Sequence, residues 1–246
     1  MEIKNRVVVI TGASSGIGAA TAIHFAKLGA KVVINYRENL KGAEGVLKEI
    51  ISEGGEGIVV QADVTKEEDV DRLIQSVLRK FSRLDILINN AAIPNDISPY
   101  ANATQSEIRE VIDTDLVAPM IVTQKVLKVM HEQGSGKVLN TSSIRGWEHG
   151  GRSVVYSVAK AGLNSFTRTL AKSVAPHIQV NAVAPGFVKT RNYDSMSKDM
   201  VDSFINQTYL KRWVDAKEIA YTFEFLCRND AMTGQIIYVD GGFTLK

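Results

Sequence analysis

The chain alternates short, nearly unbroken apolar runs with longer stretches in which apolar residues recur at helical spacing. The first run, Val7-Val8-Val9-Ile10, is entirely β-branched, the pattern of a strand covered on both faces. Similar runs predict strands at 31–35, 57–61, 85–88, 137–141, 178–183 and 235–239. Between them the spacing predicts a helix ending at Leu28-Gly29 and helices over 39–53, 65–82, 104–130, from Ser153 to about Pro176, and over 216–228. Glu67 and Glu68 suit the first turn of the third helix, and Thr104 and Ser153 are candidate N-caps. The order βαβαβαβ over the first half implies an α/β fold, a doubly wound parallel sheet with right-handed crossovers. Residues 187–213 break the pattern: 189–200 is polar and irregular, followed by Phe204, Tyr209 and Trp213. That segment reads as a helical flap over a crevice, or equally as a sub-helix packed on the core.

Composition narrows the class. With 246 residues and 45% hydrophobic content, one domain spanning 1–246 can bury a large core. The net charge of +2, from 29 basic and 27 acidic residues, leaves no footprint for nucleic acid or an anionic membrane. A lone Cys227 and four scattered histidines argue against a disulfide, a cysteine cage and a zinc site, so no metal is expected. Without an apolar run of membrane length, a soluble cytoplasmic protein is expected.

Candidate chemistry gathers where strands end. The first strand runs into Thr11-Gly12-Ala13-Ser14-Ser15-Gly16-Ile17-Gly18 and then a helix, an arrangement that offers backbone N–H groups to a phosphate. Gly12 would allow the tight turn, Gly16 the approach of a pyrophosphate, and Gly18 close helix–strand packing. The spacing differs from G-x-G-x-x-G. At the end of the second strand, Asn35-Tyr36-Arg37 has no carboxylate to repel a 2′-phosphate, and Arg37 can pair with one. NADP(H) is therefore expected over NAD(H), with NAD(H) possible and Glu38 a counterweight. Asn89 and Asn90 either touch the cofactor or staple loops. Pro119 deprives the Asp115 carbonyl of its helical partner, leaving a kink or a held water. Tyr156 and Lys160, four residues apart, share a helix face, where the ammonium favours phenolate and so eases proton transfer. Ser142-Ser143 precede them. Ligands of open α/β sheets bind beyond the strands' carboxyl ends, so the glycine turn, Asn90, Ser143 and Pro185-Gly186 should meet in one crevice.

Together, Thr11-Gly12-xxx-Gly16-x-Gly18, Asn89-Asn90-Ala91, Ser143, Tyr156-xxx-Lys160, Pro185-Gly186 and Val239-Asp240-Gly241-Gly242 resemble the short-chain dehydrogenase/reductase family over nearly the whole chain. The resemblance implies a Rossmann-type sheet of seven strands, a nicotinamide cofactor and a homotetramer. It implies Tyr156 as general acid, Lys160 as its activator and ribose ligand, and Ser143 as the substrate-orienting serine. Ser14, Ser15 and Ile17 join the glycines around the cofactor. Asp63 and Val64 would meet adenine, Asn90 and Ala91 the cofactor, and Pro185, Gly186 and Val188 its nicotinamide end, with Thr190 holding the carboxamide. Two positions depart from the pattern: Ala92 replaces a glycine, and Asp115 replaces the asparagine whose carbonyl anchors a relay water. Within the family the chain looks most like β-ketoacyl-ACP reductases of fatty acid biosynthesis. Lys125, Lys128, Arg168 and Lys172 could offer acyl carrier protein a basic surface, although the same helices commonly pack between subunits. Trp147, Glu148 and His149 should line the substrate pocket. The alternatives are a dehydrogenase of a sugar or small secondary alcohol, and a catalytically silent nucleotide sensor or scaffold.

Overall fold

The computed structural model describes residues 1–93, 100–147, 153–189 and 197–245. Strands β1 (Val7–Ile10), β2 (Lys31–Tyr36), β3 (Glu56–Gln61), β4 (Ile86–Asn89), β5 (Gly136–Thr141), β6 (Ile178–Pro185) and β7 (Ile236–Val239) form one parallel sheet. Its order, β3-β2-β1-β4-β5-β6-β7, reverses direction between β1 and β4, which opens a crevice beyond their carboxyl ends. Every residue of β1, β4 and β5 is buried, because helices cover both faces.

Helices α1 (Gly16–Lys27), α2 (Leu40–Ser52) and α8 (Ala216–Arg228) pack with Val8, Ile10, Val32 and Ile34 on one face. On the other, α3 (Glu67–Phe81), α5 (Ala118–Gln133) and the lower half of α6 (Val154–Val174) enclose Val7, Val9, Leu87 and Val138. The alternate residues of each strand thus feed two separate cores, as the pleat requires.

The expected helix over 104–130 is not one α-helix. It is α4 (Gln105–Ile112), a π-helical segment Asp113–Val117, and α5. The physical reason is Pro119, which has no N–H to continue the ladder; within the segment the Ala118 N–H reaches back to the Asp113 carbonyl. Thr104 does cap α4, in a reciprocal box with Glu107. The third helix starts at Glu67 with Lys66 at its N-cap, two residues later than expected. Ser153 holds the N-cap of α6 but in a left-handed conformation, φ 57°. In the 187–213 segment, α7 (Lys198–Asn206) buries none of its residues, yet Phe204 stacks on Phe187 at 4.6 Å and Trp213 packs edge-on to it. Part of that segment, 190–196, lies outside the described residues.

Candidate active site

The glycine turn is held from behind. Gly12 and Gly16 have φ of 62° and 57°, which favour glycine. A Cβ on Gly18 would fall 2.6 Å from both the Gly12 carbonyl and the Asn90 amide, so only hydrogen fits where α1 leaves the turn. Asn90 Nδ2 donates to the Thr11 and Gly12 carbonyls at 3.0 and 3.1 Å. Asn35, buried inside β2, accepts from the Gly12 N–H at 3.3 Å and donates to the Ala62 carbonyl at 3.0 Å. Asn89 donates to Thr123 and Asn140 within the core. Both asparagine amides of β4's end therefore staple structure, and Asn90 additionally borders the crevice.

The crevice is about 740 Å³. Of the residues expected around a cofactor, the turn (Gly12, Ser14, Ser15, Gly16, Ile17), Arg37, Asp63, Val64, Asn90, Ala91, Pro185, Gly186 and Val188 line it; Gly18 lies beneath the turn, and Thr190 is outside the described residues. Its volume lies in the range of sites that hold cofactors. The first turn of α1 carries no acidic side chain and Ser15 does not cap it, which leaves its N–H groups to an anion. A phosphate-bearing dinucleotide fits these features. Arg37 is half-exposed and pairs with Glu38 at 3.1 Å. The Asp63 carboxylate accepts from Thr65 N–H and Oγ1 at 3.0 and 2.7 Å, which shapes the loop after β3.

At the opposite end stand Ser143, Tyr156 and Lys160, all on the crevice wall. Ser143 ends the path of β5 and opens a short 3-10 turn, Ile144–Gly146. Its oxygen accepts the Arg145 N–H at 3.2 Å, which leaves the hydroxyl proton for a ligand. Lys160, 2% exposed, donates to the Thr141 carbonyl at 3.2 Å, and its ammonium lies 5.4 Å from the centre of the Tyr156 ring. Behind it is Asp115, fully buried in the π-helical segment. Asp115 Oδ1 accepts from the Ile93 N–H at 3.0 Å, and Oδ2 sits 3.6 Å from Lys160 Nζ. That separation is too long for a good hydrogen bond, and among the described residues Oδ2 has no hydrogen-bond partner. Burial raises the Asp115 carboxyl above the usual carboxylate range, offset only in part by Lys160 and the Ile93 N–H.

Two expected placements, those of Trp147 and Lys125, differ in the structure. Trp147 is 62% exposed and stands outside the crevice wall; Glu148 and His149 lie outside the described residues. The Asp115 carboxylate stands within reach of Lys160, on the side away from the crevice wall. Lys125 is engaged by Glu67 at 2.7 Å and Asp71 at 2.9 Å, because α5 packs against α3, which leaves Lys128, Arg168 and Lys172 exposed. Sequence reasoning named Asn35 only as part of the second strand's tip and missed its support of the glycine turn, for which its polarity at the end of an apolar run was the available signal; it also missed the Thr141 carbonyl, which has none. Among the described residues no group of three or more metal-capable side chains occurs, and no helix is long and apolar enough to cross a membrane.

Comparison with known proteins bears on the family and the fold. A family model described as enoyl-(acyl carrier protein) reductase matches residues 12–244. The chain is 41% identical over 244 residues to the 3-oxoacyl-[acyl-carrier-protein] reductase of Synechocystis, covering 98% of this chain and 97% of the relative. Among solved structures, a protein of Burkholderia xenovorans assigned to the short-chain dehydrogenases/reductases superposes with a TM-score of 0.91 at 31% identity, over 98% of this chain and 99% of that one. A variant of actinorhodin polyketide ketoreductase with NADPH gives a TM-score of 0.91 at 29% identity, over 97% of each chain.

Proposed function

The chain belongs to the short-chain dehydrogenase/reductase family, an oxidoreductase acting on C=O and CH–OH groups, and from that premise we propose that it reduces a β-ketoacyl thioester with NADPH. The observation that carries this reading is that Ser143, Tyr156 and Lys160 line the same crevice as the glycine turn and Arg37, with Glu38 paired to Arg37 just past the tip of β2. The identity to a 3-oxoacyl-[acyl-carrier-protein] reductase supports the thioester over a sugar or small alcohol.

The bound nicotinamide would supply the hydride to the ketone carbon. The residues of this chain handle the oxygen. Ser143 donates a hydrogen bond to it from its hydroxyl and keeps its proton, while Tyr156 transfers the one proton that the developing alkoxide takes up, where such donors are worth most. Lys160 keeps a positive charge beside Tyr156, anchored by the Thr141 carbonyl, and Asp115 tempers that charge from behind. The glycine turn and the α1 N-terminus would cradle the diphosphate, Arg37 the 2′-phosphate, and Pro185, Gly186, Val188 and Thr190 the nicotinamide end. Lys128, Arg168 and Lys172 would face an acidic carrier protein, in an assembly of four copies in the cytoplasm.

The test is substrate choice. Acetoacetyl-CoA with NADPH should outperform a panel of sugars and simple secondary alcohols with NADP+ by at least about ten-fold in kcat/KM; preference for a panel member would move the assignment to that alcohol's dehydrogenase.

A further inference from the structure

Helix α6 touches the end of β5 through a stripe of side chains at helical spacing. Lys160 Nζ donates to the Thr141 carbonyl at 3.2 Å, Asn164 Oδ1 accepts the Ser142 hydroxyl at 2.6 Å, and Thr167 Oγ1 accepts from Asn140 at 2.9 Å. The middle contact differs from its neighbours because Asn164 also reaches past the strand. Its Nδ2 donates to the Gly146 carbonyl at 3.3 Å, the last residue of the turn that Ser143 opens. One buried amide therefore grips the residue before Ser143 and the residue three beyond it. The fit is close: a Cβ on Gly146 would come 2.7 Å from Asn164 Nδ2 and 2.9 Å from the Lys160 carbonyl.

Asn164 lies two turns along the same helix face from Tyr156, on the far side of Lys160. Ser143 comes from a strand end, whereas Tyr156 comes from a helix, and nothing in the chain's connectivity fixes their separation. We infer that Asn164 is a positioning residue for the reduction, setting where the Ser143 hydroxyl stands relative to Tyr156 by clamping Ser142 and Gly146 to α6. This rests on the carbonyl-reductase reading above. The Ser143 proton must meet the same oxygen as the Tyr156 proton, and a displacement of about 1 Å in such an arrangement can cost about 100-fold in rate. Asn164 touches no reacting atom.

Asn164→Ala, Ser142→Ala and the control Thr167→Ala separate positioning from simple anchorage, because Thr167 holds α6 to β5 without touching the turn. Asn164→Ala is expected to lower kcat about ten-fold or more while KM for NADPH stays within about two-fold. Ser142→Ala should lower kcat too, and the double variant should be little worse than Asn164→Ala alone. Thr167→Ala should leave kcat within about two-fold. Hydrogen exchange gives a readout that needs no turnover: the Gly146 N–H, bonded to the Ser143 carbonyl at 2.9 Å, should exchange faster in Asn164→Ala and not in Thr167→Ala. Unchanged kcat and exchange in Asn164→Ala, or equal losses in Thr167→Ala, would overturn the inference. Absence of turnover in the parent protein would count against the carbonyl-reductase reading, while the exchange arm still decides the role of Asn164.

Discussion

The Asp115 carboxylate stands 3.6 Å from the Lys160 ammonium, and both groups are out of water. The carboxylate is brought there by a π-helical segment ahead of Pro119 and held by the Ile93 N–H. Because burial raises the Asp115 carboxyl, the folded chain binds this proton more tightly than the unfolded chain does. The ionic pair is therefore absent at low pH and forms as pH rises through that raised range, and this group's contribution to stability falls over the same interval. In Asp115→Asn the Lys160 charge acts on the Tyr156 oxygen without opposition. The alkaline limb of the kcat profile for reduction should move to lower pH, and the profiles of parent and variant should converge at the acid end. Coincident profiles would show that the carboxylate is idle.

Arg37 sets cofactor choice if it meets the 2′-phosphate. Replacing it with Ser should raise KM for NADPH about 10- to 100-fold, the worth of a charge-assisted hydrogen bond, and change KM for NADH by less than about three-fold. Equal losses for both cofactors would place the 2′-phosphate elsewhere.

Gly18→Ala forces a methyl group against the Gly12 carbonyl and the Asn90 amide, neither of which can retreat without moving the turn. A loss of about 1–3 kcal/mol in stability is expected from overpacking, with weaker binding of both NADPH and NADH. Chemical denaturation and cofactor titration measure the two effects; unchanged values for both would mean that the turn tolerates a shift.

Charge reversal at Lys172, an exposed residue, should raise KM for an acyl-carrier-protein substrate several-fold. It should leave acetoacetyl-CoA unaffected, and the difference should shrink with added salt. Equal KM for the carrier-bound substrate in parent and variant would remove Lys172 from any docking surface.

The sheet was legible because buried parallel strands must be apolar on both faces, so β1 and β4 announce themselves as unbroken runs. The pairing of Tyr156 with Lys160 was legible because the two share one helix, where spacing alone fixes their relation. What could not be read depends on contacts between elements. The π-helical segment needs the fold to show how the chain accommodates Pro119, and a cation offered as surface, Lys125, turned out to be occupied by two carboxylates of α3. The Thr141 carbonyl and the Asn164 clamp have no residue-type signature, since a backbone oxygen and a helical asparagine acquire their roles only when β5 and α6 meet.

The most direct test of the central claim follows NADPH absorbance with acetoacetyl-CoA in the parent protein and in Tyr156→Phe. The phenylalanine ring keeps the shape of the site and removes the proton donor. The account predicts turnover in the parent and a fall in kcat of about 10²–10⁴-fold in the variant, with NADPH still bound. A variant that turns over within about two-fold of the parent would contradict Tyr156 as the acid and with it the mechanism.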